Sequence, residues 1–143
     1  MDFNTFNELV LDLSDEKGKV MGTKPWFIKF FAPWCGHCQR MAPTWSEFNR
    51  LHQDEIDVGV VDCTSEGGQP LCSKLEVRGY PTVLYFPTEI VGERAKAYKF
   101  QGPRTLEGFE AFALQGGWRN APDDSTVPVN LGGLESWVRW FGQ

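Results

Sequence analysis

Apolar residues at Phe6, Leu9, Val10 and Leu13 follow a three-and-four spacing, which predicts an amphipathic helix over 3–13. Residues 14–24 are mainly polar with two glycines and read as a loop. The apolar, aromatic run Trp26-Phe27-Ile28-Lys29-Phe30-Phe31-Ala32 predicts a mostly buried strand that Pro33 ends. A helix is expected over 35–52, with Met41, Trp45, Phe48 and Leu51 turned inward. Pro43 falls inside that helix and should bend it, since proline removes a backbone donor and crowds the preceding turn. A second strand over 56–62 completes a strand-helix-strand succession, which implies a right-handed parallel βαβ unit.

Beyond it, 64–70 reads as a glycine-containing loop and 71–75 as a short helix. The runs at 82–86 and 97–100 predict an antiparallel pair of strands. A last helix at 105–114 places Leu106, Phe109, Phe112 and Ala113 on its inner side, and Gly116-Gly117 stops it. Residues 120–133 have the prolines, glycines and acidic pair of a linker, followed by helical spacing at Leu134, Trp137, Val138 and Phe141. That final segment packs back on its own domain, docks on a partner or begins another domain.

The composition suits a single soluble globular domain: 143 residues, 41% hydrophobic and 23% charged. The net charge of −5, without a basic tract, argues against phosphate-tracking nucleic-acid binding and against adhesion to anionic membranes. The most apolar stretch is too short to span a bilayer. The first residues have neither the basic nor the apolar region of a secretory signal, and the last three do not form a retention signal. Two readings follow: a cytosolic protein, or an excised piece of a longer secretory-pathway chain.

Four cysteines carry the candidate chemistry, Cys35 and Cys38 as C-x-x-C and then Cys63 and Cys72. Zinc is the rival to disulfides, but the second pair is spaced too widely for the usual knuckle, so no metal is expected. Strand, Pro33, Trp34, Cys35, helix is the order that puts Cys35 at a helix N-terminus. There, unpaired N–H groups and the helix dipole favour the thiolate. Cys38, one turn further in, should be more buried and keep its proton. Cys35 then attacks and Cys38 resolves the mixed disulfide. Gly36 and His37 fill the dipeptide between them, and a positive His37 would stabilise the reduced thiolate.

These residues also carry a resemblance. Phe30-Phe31-Ala32-Pro33-Trp34-Cys35-Gly36-His37-Cys38, then Met41-Ala42-Pro43, resembles the active site of a catalytic domain of protein disulfide isomerase, in the thioredoxin superfamily. Val77-Arg78-Gly79-Tyr80-Pro81-Thr82 is similar to the family's second signature. The resemblance covers about residues 3–115 and leaves 116–143 as a linker and short extension. It implies a thioredoxin-like α/β fold, a mixed central sheet flanked by helices. It further implies that Pro81 follows a cis bond beside the cysteines, with Trp34, Tyr80 and Pro81 contacting an extended substrate chain. Arg104 matches an arginine that swings toward the resolving cysteine; an ordinary surface arginine is the alternative.

Lys29 departs from the common pattern, in which an acidic residue six positions before the first cysteine accepts the proton of the second. Lys29 could act as a base when neutral, lower the Cys38 pKa by its charge, or extend its head to solvent with no catalytic part. Some endoplasmic reticulum relatives with several thioredoxin domains share this lysine and a second cysteine pair, which implies a structural Cys63–Cys72 disulfide. Two buried free thiols are the alternative. The resemblance thus implies a thiol-disulfide oxidoreductase or isomerase of the endoplasmic reticulum lumen, here an excised domain without its signal peptide. It would act on folding client polypeptides with no cofactor, and a thiol oxidase or glutathione would be its redox partner. A thioredoxin-type reductant and a non-catalytic client-binding module are the alternatives.

Overall fold

The computed structural model describes residues 11–12, 19–20, 24–88, 96–122 and 126–128. The C-terminal helix expected at 134–141, and most of the first helix expected at 3–13, lie outside these residues. In chain order the elements are β1 (Leu11–Asp12), β2 (Lys19–Val20), β3 (Trp26–Phe31), α1 (Gly36–His52) and β4 (Asp57–Asp62). They continue with α2 (Gly68–Lys74), β5 (Thr82–Phe86), β6 (Lys96–Lys99), α3 (Leu106–Ala113), a 3-10 turn (Gly117–Asn120) and β7 (Thr126–Pro128). Strands β4-β3-β5-β6-β7 form one sheet in that order. The β3/β4 pair is parallel and the other three pairs are antiparallel. This is a mixed sheet between helices, a thioredoxin fold.

Strand β3 runs through the middle of the molecule. Ile28 and Phe30 face a cluster with Val61, Leu71, Leu75 and Leu84, beneath α2. Phe27 faces the other way, into a cluster with Met41, Trp45, Phe48, Val83 and Phe109, beneath α1 and α3. Burial on both faces is why the strand reads as a continuous apolar run rather than an alternating one. The Phe27 ring centroid lies 4.9 Å from that of Trp45 and 6.0 Å from that of Phe109. Phe27→Ala is expected to cost about 3–5 kcal/mol, measured by urea unfolding, because the surrounding rings belong to three elements and cannot close the cavity. A loss below about 1 kcal/mol would show that these rings repack freely.

Several expected elements need correction. Leu11–Asp12 is a strand paired antiparallel with Lys19–Val20, not the end of a helix. Leu11 faces Val20 in register, a pairing between segments that periodicity along one segment cannot register. The expected loop at 14–24 therefore contains β2, and the expected linker at 120–133 contains β7. Pro128, at the end of β7, fits an edge strand because proline donates no ladder hydrogen bond. Helix α2 starts three residues before position 71, because Pro70 sits in its first turn, where a missing N–H costs nothing. Gly68 opens it close against β4; an added Cβ would lie 2.0 Å from the Asp62 carbonyl oxygen.

Leu51 is 46% exposed rather than inward. The stripe through Met41, Trp45 and Phe48 continues instead to His52, whose ring lies 5.0 Å from Phe48. Its Nε2 is 2.7 Å from Glu110 of α3 and its Nδ1 3.1 Å from Glu55. A polar side chain thus takes the inward position by bridging two helices. Among the described residues no helix is long and apolar enough to cross a membrane.

Candidate active site

The site forms where β3 hands over to α1. After Phe31 the chain turns, with the Cys35 N–H donating to the Ala32 carbonyl at 3.1 Å, and α1 starts at Gly36. Cys35 is the N-cap in extended conformation, and its sulfur accepts from the Cys38 N–H at 3.2 Å. The sulfur therefore occupies the place usually held by a serine or aspartate oxygen, facing the unpaired donors of the first turn. No acidic residue stands in that turn to oppose a negative charge. Gln39 braces the turn from the helix side, its Nε2 donating to the Pro33 carbonyl at 2.8 Å.

Cys35 and Cys38 are both free thiols in this structure. They pack with Ala32, and Phe31 and Tyr80 lie against them. Both residues are buried, at 7% and 3% exposure, with Cys38 the more covered of the two. The contrast lies in their electrostatics. Burial pushes the Cys35 thiol up, but hydrogen bonds from Cys38 and from the His37 backbone, together with the Arg104 charge, hold it below its ordinary value. Burial pushes Cys38 up to about 11, and its hydrogen bond with Cys35 adds to the rise, while the Ala32 backbone and Lys29 oppose it. One sulfur is thus disposed to be thiolate while the other keeps its proton.

Lys29 is 5% exposed, which excludes a head extended to solvent. It shares the α1-facing side of β3 with Phe27, and its Nζ lies 5.7 Å from the centroid of the Phe31 ring. Burial lowers its pKa, whereas the charges of Cys38 and Cys35 raise it. Arg104 precedes α3, whose N-cap Thr105 accepts from the Gly108 N–H at 3.0 Å. Its charge bears on Cys35, whereas the resemblance points to the resolving cysteine.

His37 is exposed and reaches Cys35 through its backbone N–H. Its ring points elsewhere, Nδ1 accepting from Arg40 at 3.0 Å. Sequence reasoning passes over Arg40. The signal for it is the i,i+3 spacing from His37, which places both side chains on one stripe of the first helical turn. The guanidinium also lies 3.4 Å from where a Gly36 Cβ would stand.

Trp34 projects from the turn, 71% exposed, and meets Tyr80 edge to face with ring centroids 5.7 Å apart. The Tyr80–Pro81 bond is cis. Tyr80 touches the group around the reactive cysteines and also the core beneath α2. Cys63 and Cys72 are bonded, with Cα atoms 5.7 Å apart. Among the described residues no group of three histidine, cysteine or acidic side chains is placed to hold a metal ion.

Residues 5–115 match the sequence profile of the family described as Thioredoxin. The chain is 42% identical over 113 residues to the protein disulfide-isomerase-like protein EhSep2 of Emiliania huxleyi, covering 77% of this chain and 44% of that protein. It is 38% identical over 90 residues to protein disulfide isomerase-like 2-3 of Oryza sativa subsp. japonica, covering 63% of this chain and 19% of that one. The chain thus spans less than half the length of these curated relatives. Among solved structures, the Trx4 domain of ERdj5 superposes with a TM-score of 0.63 at 27% identity, covering 82% of this chain and 91% of that domain.

Proposed function

We propose, for a chain that belongs to the thioredoxin family, a thiol-disulfide exchange activity on folding polypeptides, carried by Cys35 and Cys38. The observation that carries this reading is the opposite bias of the two sulfurs, one lowered at the helix N-cap and one raised a turn further in. In the reducing direction the Cys35 thiolate attacks a client disulfide. An S–S bond forms between Cys35 and one client sulfur, and the other client sulfur leaves as thiolate. Cys38 then gives up its proton and attacks the Cys35 sulfur. The second client thiolate leaves, and two electrons have passed from the Cys35/Cys38 dithiol to the client. Oxidation of a client is the same path reversed. Isomerisation stops at the mixed disulfide while client thiols exchange.

The exposed Trp34 and the half-buried Tyr80 form the client-facing wall beside the reactive sulfur. Arg104 favours the Cys35 thiolate, and Lys29 favours that of Cys38. The bonded Cys63 and Cys72 suit an oxidising compartment, and with the family resemblance they support the endoplasmic reticulum lumen as the place of action. Glutathione or a thiol oxidase would then return the pair to its working state. The redox chemistry needs no metal or organic cofactor, because the two sulfurs carry both electrons.

The deciding experiment equilibrates the Cys35/Cys38 pair with glutathione. A potential near about −180 mV is the expected result and fits an isomerase or oxidase, whereas about −270 mV would make the domain a reductant. A Cys35→Ala, Cys38→Ala double variant that still refolds a scrambled client at the wild-type rate would leave only a client-binding module.

A further inference from the structure

We infer that the Cys63–Cys72 disulfide is a positioning brace for the client-contacting residue Tyr80, acting through the C-terminal cap of α2. This rests on the reading of Trp34 and Tyr80 as the client-facing wall.

The connection can be followed bond by bond. Helix α2 ends at Lys74, and Leu75 is its C-cap. Glu76 follows with φ 58°, a left-handed conformation that glycine usually takes at this place. The Val77 N–H donates to the Cys72 carbonyl at 2.9 Å and the Glu76 N–H to the Ser73 carbonyl at 3.2 Å. These two bonds are the paired reversals of a Schellman cap. Cys72 is thus both the acceptor that closes the cap and one end of the disulfide. At the other end, the Cys63 N–H donates to the Phe31 carbonyl at 2.8 Å, and Phe31 ends the strand that leads into the Cys35 turn.

From the cap, the chain reaches the Tyr80–Pro81 bond without entering a helix or strand. Gly79 within it has open space around its Cβ position, and a bond from Thr82 Oγ1 to the Gly79 carbonyl at 2.7 Å holds the far side. Tyr80 packs against two groups: the cluster beneath α2, to which Cys63, Cys72, Leu71 and Leu75 belong, and the small group of Ala32, Cys35 and Cys38. A connection of this kind is ordered only as far as its anchors are. The left-handed Glu76 makes the cap less favourable than a glycine would, so the fixed position of Cys72 matters more for holding it. Cut the cross-link, and the cap, the 77–81 connection and Tyr80 loosen together, while the Cys35 N-cap, built from β3 and α1, does not.

The test compares wild type with the Cys63→Ala, Cys72→Ala variant by amide hydrogen exchange and by steady-state reduction of two substrates, a disulfide-bonded peptide and glutathione disulfide, with a small dithiol as the electron donor and its uncatalysed rate subtracted. Protection at the cap amides of Glu76 and Val77 should fall at least about tenfold, while that of α1 is unchanged. KM for the peptide should rise about fivefold or more, with kcat, KM for glutathione disulfide and the Cys35/Cys38 potential unaltered. Unchanged protection at Val77, or an equal loss across α1, would overturn the brace and leave a disulfide that only adds global stability. If the double variant does not fold, the exchange comparison is made on wild type with only Cys35/Cys38 reduced against wild type with all four cysteines reduced, and the same two outcomes decide. Exchange needs no turnover: a wild type that reduces neither substrate sinks the oxidoreductase reading, while the protection pattern still decides the brace.

Discussion

Cys38→Ala should accumulate mixed disulfides between Cys35 and client chains, and Cys35→Ala should accumulate none. The asymmetry does not rest on the small difference in residue exposure, 7% for Cys35 against 3% for Cys38. It comes from which sulfur is charged. Cys35 takes hydrogen bonds from the first turn of α1 and lies in the field of Arg104, which together overcome its burial. Burial holds Cys38 up at about 11, so at pH 7 it keeps its proton. Alkylation by iodoacetamide at pH 7 should therefore modify Cys35 at least about a hundredfold faster than Cys38. The pH profile follows with the same sign: Cys35 labelling rises through a midpoint below that of a free cysteine, and Cys38 labelling only far above it. Equal labelling at neutral pH would show that the N-cap does not control the chemistry, and the order of attack and resolution would have to be abandoned.

Much of this site is legible in the amino-acid sequence, and the reason is local. A buried strand, a proline turn and a helix in immediate succession leave one place for Cys35, and the i,i+3 step to Cys38 sets the relation between the sulfurs. The same locality makes α1, β4, β5 and α3 legible, because each presents its apolar stripe within its own segment. Features that depend on a distant partner are not. Strand β7 gains its place only by pairing with β6, and β1 only by pairing with β2. Pro70 reads as a loop breaker because its position in a first helical turn depends on how Gly68 meets β4. His52 has no apolar signal, and its inward position depends on Glu110, 58 residues away. The left-handed Glu76 has no glycine to mark it. Arg104 and Lys29 stand out only through the family resemblance. Nothing in the sequence pattern says which sulfur the charge of each reaches.

Lys29→Met should slow the decay of the mixed disulfide, on the order of tenfold at pH 7, with little change in the rate at which it forms. A lysine buried in the strand beneath α1 can assist Cys38 by holding its thiolate with a positive charge or, once neutral, by taking its proton. The mutual influence of the two groups favours the first: the Lys29 charge lowers Cys38, and the Cys38 charge raises Lys29 against the effect of burial. Under charge assistance Lys29→Glu should slow decay as well, because an ionised carboxylate beside the emerging thiolate opposes it. The sign of the pH dependence separates the cases further. Lys29 loses its charge through a pKa held below its ordinary 10.5, so raising the pH removes the assistance just as Cys38 begins to ionise unaided. The gap between wild type and Lys29→Met should therefore narrow as the pH rises toward the Cys38 value of about 11. Stopped-flow decay of a preformed mixed disulfide measures all three proteins under one condition. Faster decay in Lys29→Glu would mean that the missing carboxylate limits resolution in this chain. Equal rates in all three would leave Lys29 as a buried strand residue with no part in resolution.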